Sequence, residues 1–154
     1  MSGAVRIRPE RPADVDPIRA VTAAAFAGIP RSAPPVEPGG PPGEATLVDL
    51  LRADPGWIPA LGLGPVSVLP DRQGTGVGSA LVRALLDAAA RRDERLVALL
   101  GDPGYYARFG FQPTTALGVA APDPAWGDYF QAVALPGRET PRGTFRYAAP
   151  FDSL

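Results

Sequence analysis

The chain has 154 residues, which is long enough for one domain with its own core, and its net charge is −1. All 15 basic residues are Arg, and His, Cys, Lys and Asn are absent, which excludes a Ser-His-Asp triad, a cysteine nucleophile, a Schiff-base lysine, disulfides and ordinary zinc sites. No basic block and no apolar run of about 18 residues occurs, so we expect neither nucleic-acid nor membrane binding but a cytoplasmic protein. The Arg, Ala, Gly and Pro bias indicates a bacterial source.

The N-terminal third predicts one short strand and two helices. Apolar and charged residues alternate over residues 5–8, which is typical of a half-buried strand. A helix is predicted to begin at residues 14–17 and to end near Phe26. The Pro/Gly-rich residues 28–43 predict an exposed, mobile loop, and residues 44–53 predict a second amphipathic helix.

The middle of the chain predicts a βαβ unit. Residues 66–69 predict a strand, and Pro65 favours an edge or bulged position at its start. Residues 76–92 place apolar side chains at helical spacing and predict the longest helix. The continuous apolar run of residues 95–100 is typical of a buried parallel strand.

The C-terminal third predicts shorter elements. We expect a short helix over residues 102–109, followed by a strand that starts at Phe111. Residues 117–128 are rich in Gly, Pro and Asp and predict a loop, and two further strands are predicted over residues 129–135 and 144–147.

A glycine-rich segment lies between the predicted strand and the longest helix, over residues 73–79. Glycines there let backbone N–H groups point into one concavity, and the helix dipole adds to an anion site that suits phosphate. A Walker A loop requires Lys, which the chain lacks, and the dinucleotide fingerprint fails because its last position is Ser79 or Leu81. The plain alternative is a tight turn with close helix–sheet packing.

The remaining pattern, Gln73-x-x-Gly76-x-Gly78, resembles the acetyl-CoA-binding motif of the GCN5-related N-acetyltransferases (GNAT), Q/R-x-x-G-x-G/A. A second match follows in order, because D-P-G-Y-Y-A-R-F-G-F over residues 102–111 resembles the short fourth helix of that family. The resemblance is firm over residues 61–113. It implies an α/β fold with a mixed sheet, the GNAT-like acyl-CoA N-acyltransferase fold, in one domain that spans residues 1–154.

The same resemblance implies an activity. Acetyl-CoA would be the acyl donor, and the acetyl group would pass directly to a primary amine on a small molecule or a peptide, without a metal. The alternative is a catalytically degenerate module that only binds acyl-CoA, and a third possibility is a purely structural domain.

The resemblance also assigns roles to individual residues. The backbone of residues 66–68 would pair with the pantetheine arm, residues 73–79 would hold the pyrophosphate through N–H groups, and Tyr106 would protonate the leaving CoA thiolate. Tyr105 has a packing role in this interpretation. The implied cofactor-binding residues are Val66, Ser67, Val68, Gln73, Gly74, Thr75, Gly76, Val77, Gly78 and Ser79.

Two features of the acceptor side leave alternatives open. The group that accepts the proton of the amine is Glu44, Asp102 or a water chain. For each of the two carboxylates, the alternative is a capping or surface role. Trp57 and Trp126 either line the acceptor site or close an edge of the core.

The chain departs from the family pattern before the glycine-rich segment. A two-stranded hairpin normally precedes the motif strand, but residues 54–65 leave too little room for two strands and a turn. We therefore expect a fold that lacks the usual second and third strands. We then expect residues 5–8 to pair with residues 61–69, or with a strand edge of a second subunit in a homodimer.

Overall fold

The computed structural model describes residues 5–29, 38–53 and 60–149, with only the backbone of residues 51–53. The chain divides into two compact units. The first unit comprises Met1–Pro55, Pro65–Leu81 and Ala148–Leu154, and the second comprises Gly56–Gly64 and Val82–Tyr147. Within the described ranges, no helix has the length and apolar character that a membrane span requires.

Two helices form the body of the first unit. Helix α1 (Val15–Phe26) follows a 3₁₀ turn at Pro12–Asp14, and α2 is Gly43–Ala53. The two helices pack together, and Arg19 of α1 donates through Nε to a carboxylate oxygen of Asp49 of α2 at 2.7 Å. Both predicted helices are confirmed within one residue of their expected ends.

The strands of the second unit are β1 (Leu61–Gly62), β2 (Leu96–Leu100), β3 (Gln112–Pro113), β4 (Val119–Ala120), β5 (Phe130–Ala134) and β6 (Gly143–Thr144). Four of them form a mixed sheet with the order β1-β2-β5-β3. Strand β1 runs parallel to β2, whereas β5 is antiparallel to both β2 and β3. A separate parallel pair is formed by β4 and β6.

Two further helices complete the described chain. Helix α3 (Val77–Arg91) links β1 to β2, and this parallel connection confirms the predicted βαβ unit. Helix α4 (Pro103–Tyr106) and a 3₁₀ turn at Ala107–Phe109 confirm the predicted short helix. The turn ends at Gly110 with a left-handed φ of 87°.

Aromatic rings fill the core of the second unit. Phe130 is fully buried, and its ring centroid lies 5.4 Å from that of Phe145, 5.7 Å from that of Trp126 and 6.1 Å from that of Tyr147. Trp126 therefore closes an edge of this core, as one of the two sequence interpretations predicted. Trp57 lies outside the described residues.

The predicted strand over residues 66–69 is wrong, because residues 63–69 have no regular structure. The ladder with β2 ends where the N–H of Leu63 donates to the carbonyl of Ala98 at 2.7 Å. Pro65 follows and has no N–H to extend the ladder. The first strand of the βαβ unit is therefore β1, which starts five residues earlier than predicted.

The predicted strand over residues 5–8 is also wrong. This segment has no regular structure, and Val5 and Ile7 are 51% and 41% exposed. Alternation alone does not make a strand, which needs a partner to complete its ladder. Among the described residues, β2 is the only strand that pairs with β1, so the expected pairing of residues 5–8 with residues 61–69 is wrong. Pairing with a second subunit stays a prediction.

Two other expectations are modified. The region predicted as a loop over residues 117–128 contains β4 and most of a 3₁₀ segment, Pro124–Tyr129. The strand predicted over residues 144–147 is the two-residue strand β6, Gly143–Thr144. Part of the loop over residues 28–43, and residues 54–59 before β1, lie outside the described residues. In the described part between α2 and α3, β1 is the only strand.

An ion pair holds the N-terminal segment. Nη2 of Arg8 donates to Oδ1 of Asp14 at 2.8 Å, and the N–H of Arg11 donates to the same carboxylate at 2.8 Å. These donors lower the pKa of Asp14 to about 2. We expect Arg8→Gln to raise this pKa toward its ordinary value, whereas Arg6→Gln should leave it unchanged. A carboxyl NMR titration measures both, and in wild type the contact should persist until the pH falls toward about 2.

The two end residues of β2 allow a matched test of the core. Leu96 is 1% exposed and Leu100 is 47% exposed. We expect Leu96→Ala to lower the free energy of unfolding by about 2–5 kcal/mol, because it leaves a cavity. Leu100→Ala should change it by less than about 1 kcal/mol. Urea unfolding monitored by circular dichroism gives both values, and equal losses would contradict the assigned core.

Candidate active site

The first part of the candidate site is the irregular segment of residues 66–68, in the first unit. Oγ of Ser67 donates to Oγ1 of the buried Thr22 in α1 at 3.1 Å, so this side chain is held against the helix. No backbone–backbone hydrogen bond joins residues 66–68 to any other described residue. What this segment offers a ligand within the described chain is therefore main-chain N–H and C=O groups.

The glycine-rich segment forms an exposed turn that leads into α3. Gly74 and Gly76 have left-handed φ values of 72° and 89°, and a Cβ added at either would meet no atom within 4 Å. Glycine is required here by backbone conformation and not by crowding. Thr75 Oγ1 donates to the carbonyl of Arg72 at 2.6 Å and closes the turn.

Gln73 braces this turn from its other side. Its Nε2 donates to the carbonyl of Val68 at 3.2 Å, which joins the glycine-rich segment to the end of residues 66–68. The Gln73 side chain therefore shapes the turn, and the groups that remain for an anion are backbone amides.

The start of α3 supplies those amides. The first intrahelical bond runs from the N–H of Ala80 to the carbonyl of Gly76 at 3.0 Å, so the N–H groups of Val77, Gly78 and Ser79 come before it. No acidic residue lies in the first turn. The helix dipole and free amides thus favour a bound anion such as a pyrophosphate.

Tyr106 lies at the end of α4, in the second unit. Its ring makes an edge contact with Phe111 at a centroid distance of 5.8 Å and with Tyr105 at 4.9 Å. Burial, and to a smaller extent Tyr105, raises the pKa of Tyr106 above its usual value. Its phenol therefore stays protonated at neutral pH and has a proton to donate.

Tyr105 has the packing environment predicted for it. Its ring lies 5.6 Å from that of Phe109, and the guanidinium of Arg108 lies 4.6 Å above its centroid. Arg108 is exposed, as expected for a helix surface residue, but it stacks on Tyr105 as well.

The candidate bases have different surroundings. Asp102 is the N-cap of α4 and accepts from the N–H of Gly104 at 2.8 Å, which confirms the capping alternative. Glu44 lies in the first turn of α2 and is only 9% exposed. Its role as a base stays a prediction.

The predicted site residues fall into two groups. All ten cofactor-binding residues belong to the first unit, where Gln73 connects the two segments. Tyr106 belongs to the second unit. The roles assigned to these residues remain proposals.

A solved structure resembles nearly the whole chain. A GNAT family acetyltransferase from Brucella melitensis, crystallised in complex with acetyl-CoA, matches 94% of this chain and 96% of its own, with 34% identity and a TM-score of 0.71. This chain belongs to the GNAT family of acetyltransferases. The sequence-based assignment to that family is confirmed.

Other GNAT comparisons agree. The family model for the acetyltransferase (GNAT) domain matches residues 40–113, which include the glycine-rich turn and Tyr106. GNAT family N-acetyltransferase YhbS from Escherichia coli, solved in complex with CoA, has a TM-score of 0.76 over 99% of this chain and 95% of its own, at 23% identity. It supports the predicted acyl-CoA N-acyltransferase fold.

A curated relative matches a smaller region of the chain. The uncharacterized N-acetyltransferase YjhQ of Escherichia coli K12 is 38% identical over 63 residues, or 40% of this chain. The matched part spans about a third of YjhQ, 35% of its length.

Sequence reasoning missed one buried polar contact of this GNAT chain. Gln131 is 1% exposed in β5, and its Nε2 donates to the carbonyl of Gly101 at 2.9 Å. A single Gln inside the run F-Q-A-V-A was the available signal, because a buried polar side chain needs a partner.

Proposed function

We propose that this protein is an acetyl-CoA-dependent N-acetyltransferase that moves an acetyl group from the CoA thioester to a primary amine on a small molecule or a peptide. The observation that carries the proposal is the amide-rich turn that leads into α3, with its left-handed Gly74 and Gly76. Family membership and the acetyl-CoA complex of the Brucella relative support it.

The groups that are proposed to contact the cofactor belong to the first unit. Main-chain groups of residues 66–68 are proposed to pair with the pantetheine amides in the manner of an added strand. The N–H groups of residues 73–79 are proposed to hold the pyrophosphate. This requires no Lys, and the chain has none.

The proposed reaction is a direct transfer. The amine nitrogen attacks the thioester carbonyl carbon and forms the C–N bond, and the C–S bond then breaks. The thiolate takes the proton of the Tyr106 phenol, and the amine gives up its own proton to Glu44 or to water. Glu44 then releases the amine proton to bulk solvent, and bulk solvent returns a proton to Tyr106, so atoms and charge balance.

Ligand-dependent stabilisation tests the cofactor assignment without a known acceptor. At a concentration a hundred times its Kd, acetyl-CoA should stabilise the protein by about 2.7 kcal/mol, seen as a higher melting temperature. S-acetylpantetheine keeps the thioester and lacks the pyrophosphate, so it should stabilise far less at the same concentration. Equal shifts, or no shift with acetyl-CoA, would contradict the proposed pyrophosphate site.

A thioester-consumption screen separates an enzyme from a degenerate binding module. Free thiol is measured after acetyl-CoA is mixed with the protein and a panel of primary amines. We expect at least one amine to accelerate thiol release, whereas stabilisation without any release would favour the binding module.

The three bacterial relatives support a bacterial setting. Cytoplasmic location and a homodimer stay predictions.

A further inference from the structure

We propose that Gly101 and Gln131 are positioning residues that fix the Tyr106 phenol for turnover. The inference rests on the proposed role of Tyr106 as the acid that protonates the thiolate. All three residues belong to the second unit, and the contacts between them are direct.

The Tyr106 ring occupies space that only glycine leaves open. A Cβ added to Gly101 would lie 2.5 Å from Cε2 and 3.0 Å from Cδ2 of Tyr106, and 3.2 Å from Cδ1 of Leu99. The first of these distances is shorter than real side chains allow. Gly101 does not have a left-handed φ, so close contact is the reason for glycine here.

The Tyr106 ring is packed against other aromatic rings as well. Its other neighbours are the rings of Tyr105, Phe109 and Phe111, at centroid distances of 4.9, 6.4 and 5.8 Å. Because these rings are packed together, a methyl group at residue 101 displaces the Tyr106 phenol instead of being absorbed locally.

Gln131 holds the backbone on which this contact depends. Its buried Nε2 donates to the carbonyl of Gly101, and the N–H of Gly101 donates to the carbonyl of Tyr129 at 2.9 Å. Both polar backbone groups of Gly101 are thus bound at the start of β5. Loss of the Gln131 donor leaves the carbonyl of Gly101 without that partner, and the turn that carries Tyr106 can shift.

The test uses two variants and two matched controls. Gly101→Ala adds the clashing methyl group, and Gln131→Met removes the donor while nearly keeping the volume. Gly104→Ala adds a methyl group in the same turn, where the nearest contact is the Asp102 side chain at 3.2 Å. Thr114→Val removes a different buried polar group of the second unit, a hydroxyl.

The first readout is the tyrosine signal itself. The chain has four Tyr, so ¹³Cζ-tyrosine NMR gives four resonances, and Tyr106→Phe assigns the one that belongs to Tyr106. We expect Gly101→Ala and Gln131→Met to shift this resonance and its titration, and the two controls to leave both unchanged.

The second readout is turnover of acetyl-CoA with an amine from the panel, or with water as acceptor. We expect kcat to fall about tenfold in both variants, with KM for acetyl-CoA changed less than about twofold, because misplacement of a catalytic group affects mainly the chemical step. In a Tyr106→Phe background, the same two changes should lower kcat no further.

The outcomes separate this inference from the proposed function. An unshifted Tyr106 resonance in both variants overturns the inference, and so does a fall in kcat that persists in the Tyr106→Phe background. A shifted resonance with unchanged kcat overturns it too, provided that Tyr106→Phe itself slows turnover. If Tyr106→Phe leaves kcat unchanged, the acid role fails and the inference falls with it, whatever the resonance shows.

Discussion

Gly76→Asp is expected to weaken acetyl-CoA binding at least about a hundredfold and to leave the protein folded. Gly76 has a left-handed φ of 89°, and its carbonyl starts the hydrogen bonding of α3. A side chain there costs about 1–2 kcal/mol of backbone strain. It also places a carboxylate at the end of the helix where the pyrophosphate is proposed to bind, so the two negative charges repel. Isothermal titration calorimetry measures the affinity.

Substitutions at two other glycines distinguish the effect of backbone strain on acetyl-CoA affinity from the effect of charge. Gly28, after the end of α1, has a φ of 75° and open space around its Cα, so Gly28→Asp carries the same kind of strain away from the proposed pyrophosphate site. It should leave acetyl-CoA affinity unchanged. Gly78 lies in the first turn of α3, and Gly78→Asp should weaken binding through charge alone. A folded Gly76→Asp protein with wild-type affinity would remove the assignment of this turn to the cofactor.

Tyr106→Phe is expected to lower kcat about a hundredfold with little change in acetyl-CoA affinity. The change keeps the ring that packs against Phe111 and removes only the O–H, so the loss measures proton donation to the thiolate. Steady-state release of free CoA, with an amine from the panel or with water as acceptor, measures kcat.

Tyr105→Phe is the matched control, because it changes the neighbouring ring in the same helix. Its ring is held by Phe109 and Arg108, and its hydroxyl has no proposed role. Wild-type turnover in Tyr106→Phe together with a slow Tyr105→Phe would show that the acid is the other tyrosine. Wild-type turnover in both would mean that water protonates the thiolate.

The elements that could be predicted from the sequence are those with a long local signal. Helix α3 repeats its apolar positions over four turns, and β2 is a continuous apolar run, so both were predicted within one residue. The strands predicted over residues 5–8 and 66–69 failed because a strand depends on a partner elsewhere in the chain. Neither a missing neighbour nor the end of a ladder at Pro65 is visible in a short alternating pattern.

The candidate site could also be predicted only in part from the sequence. The glycine-rich motif predicted a turn into a helix, and the left-handed Gly74 and Gly76 confirm that part. The Gln131 contact could not be predicted, because its partner Gly101 is thirty positions away and is an ordinary glycine in the sequence. The motif also did not indicate that Gln73 braces the carbonyl of Val68.

The acetyl group itself provides the most direct test of acetyl transfer by this protein. Acetyl-CoA labelled with ¹³C in the acetyl group is incubated with the protein and the amine panel, and the products are analysed by mass spectrometry. We predict a labelled N-acetyl amide and an equal amount of free CoA, both formed about a hundredfold more slowly by Tyr106→Phe. Intact labelled thioester with every amine, from a protein that acetyl-CoA stabilises, would contradict the proposed activity.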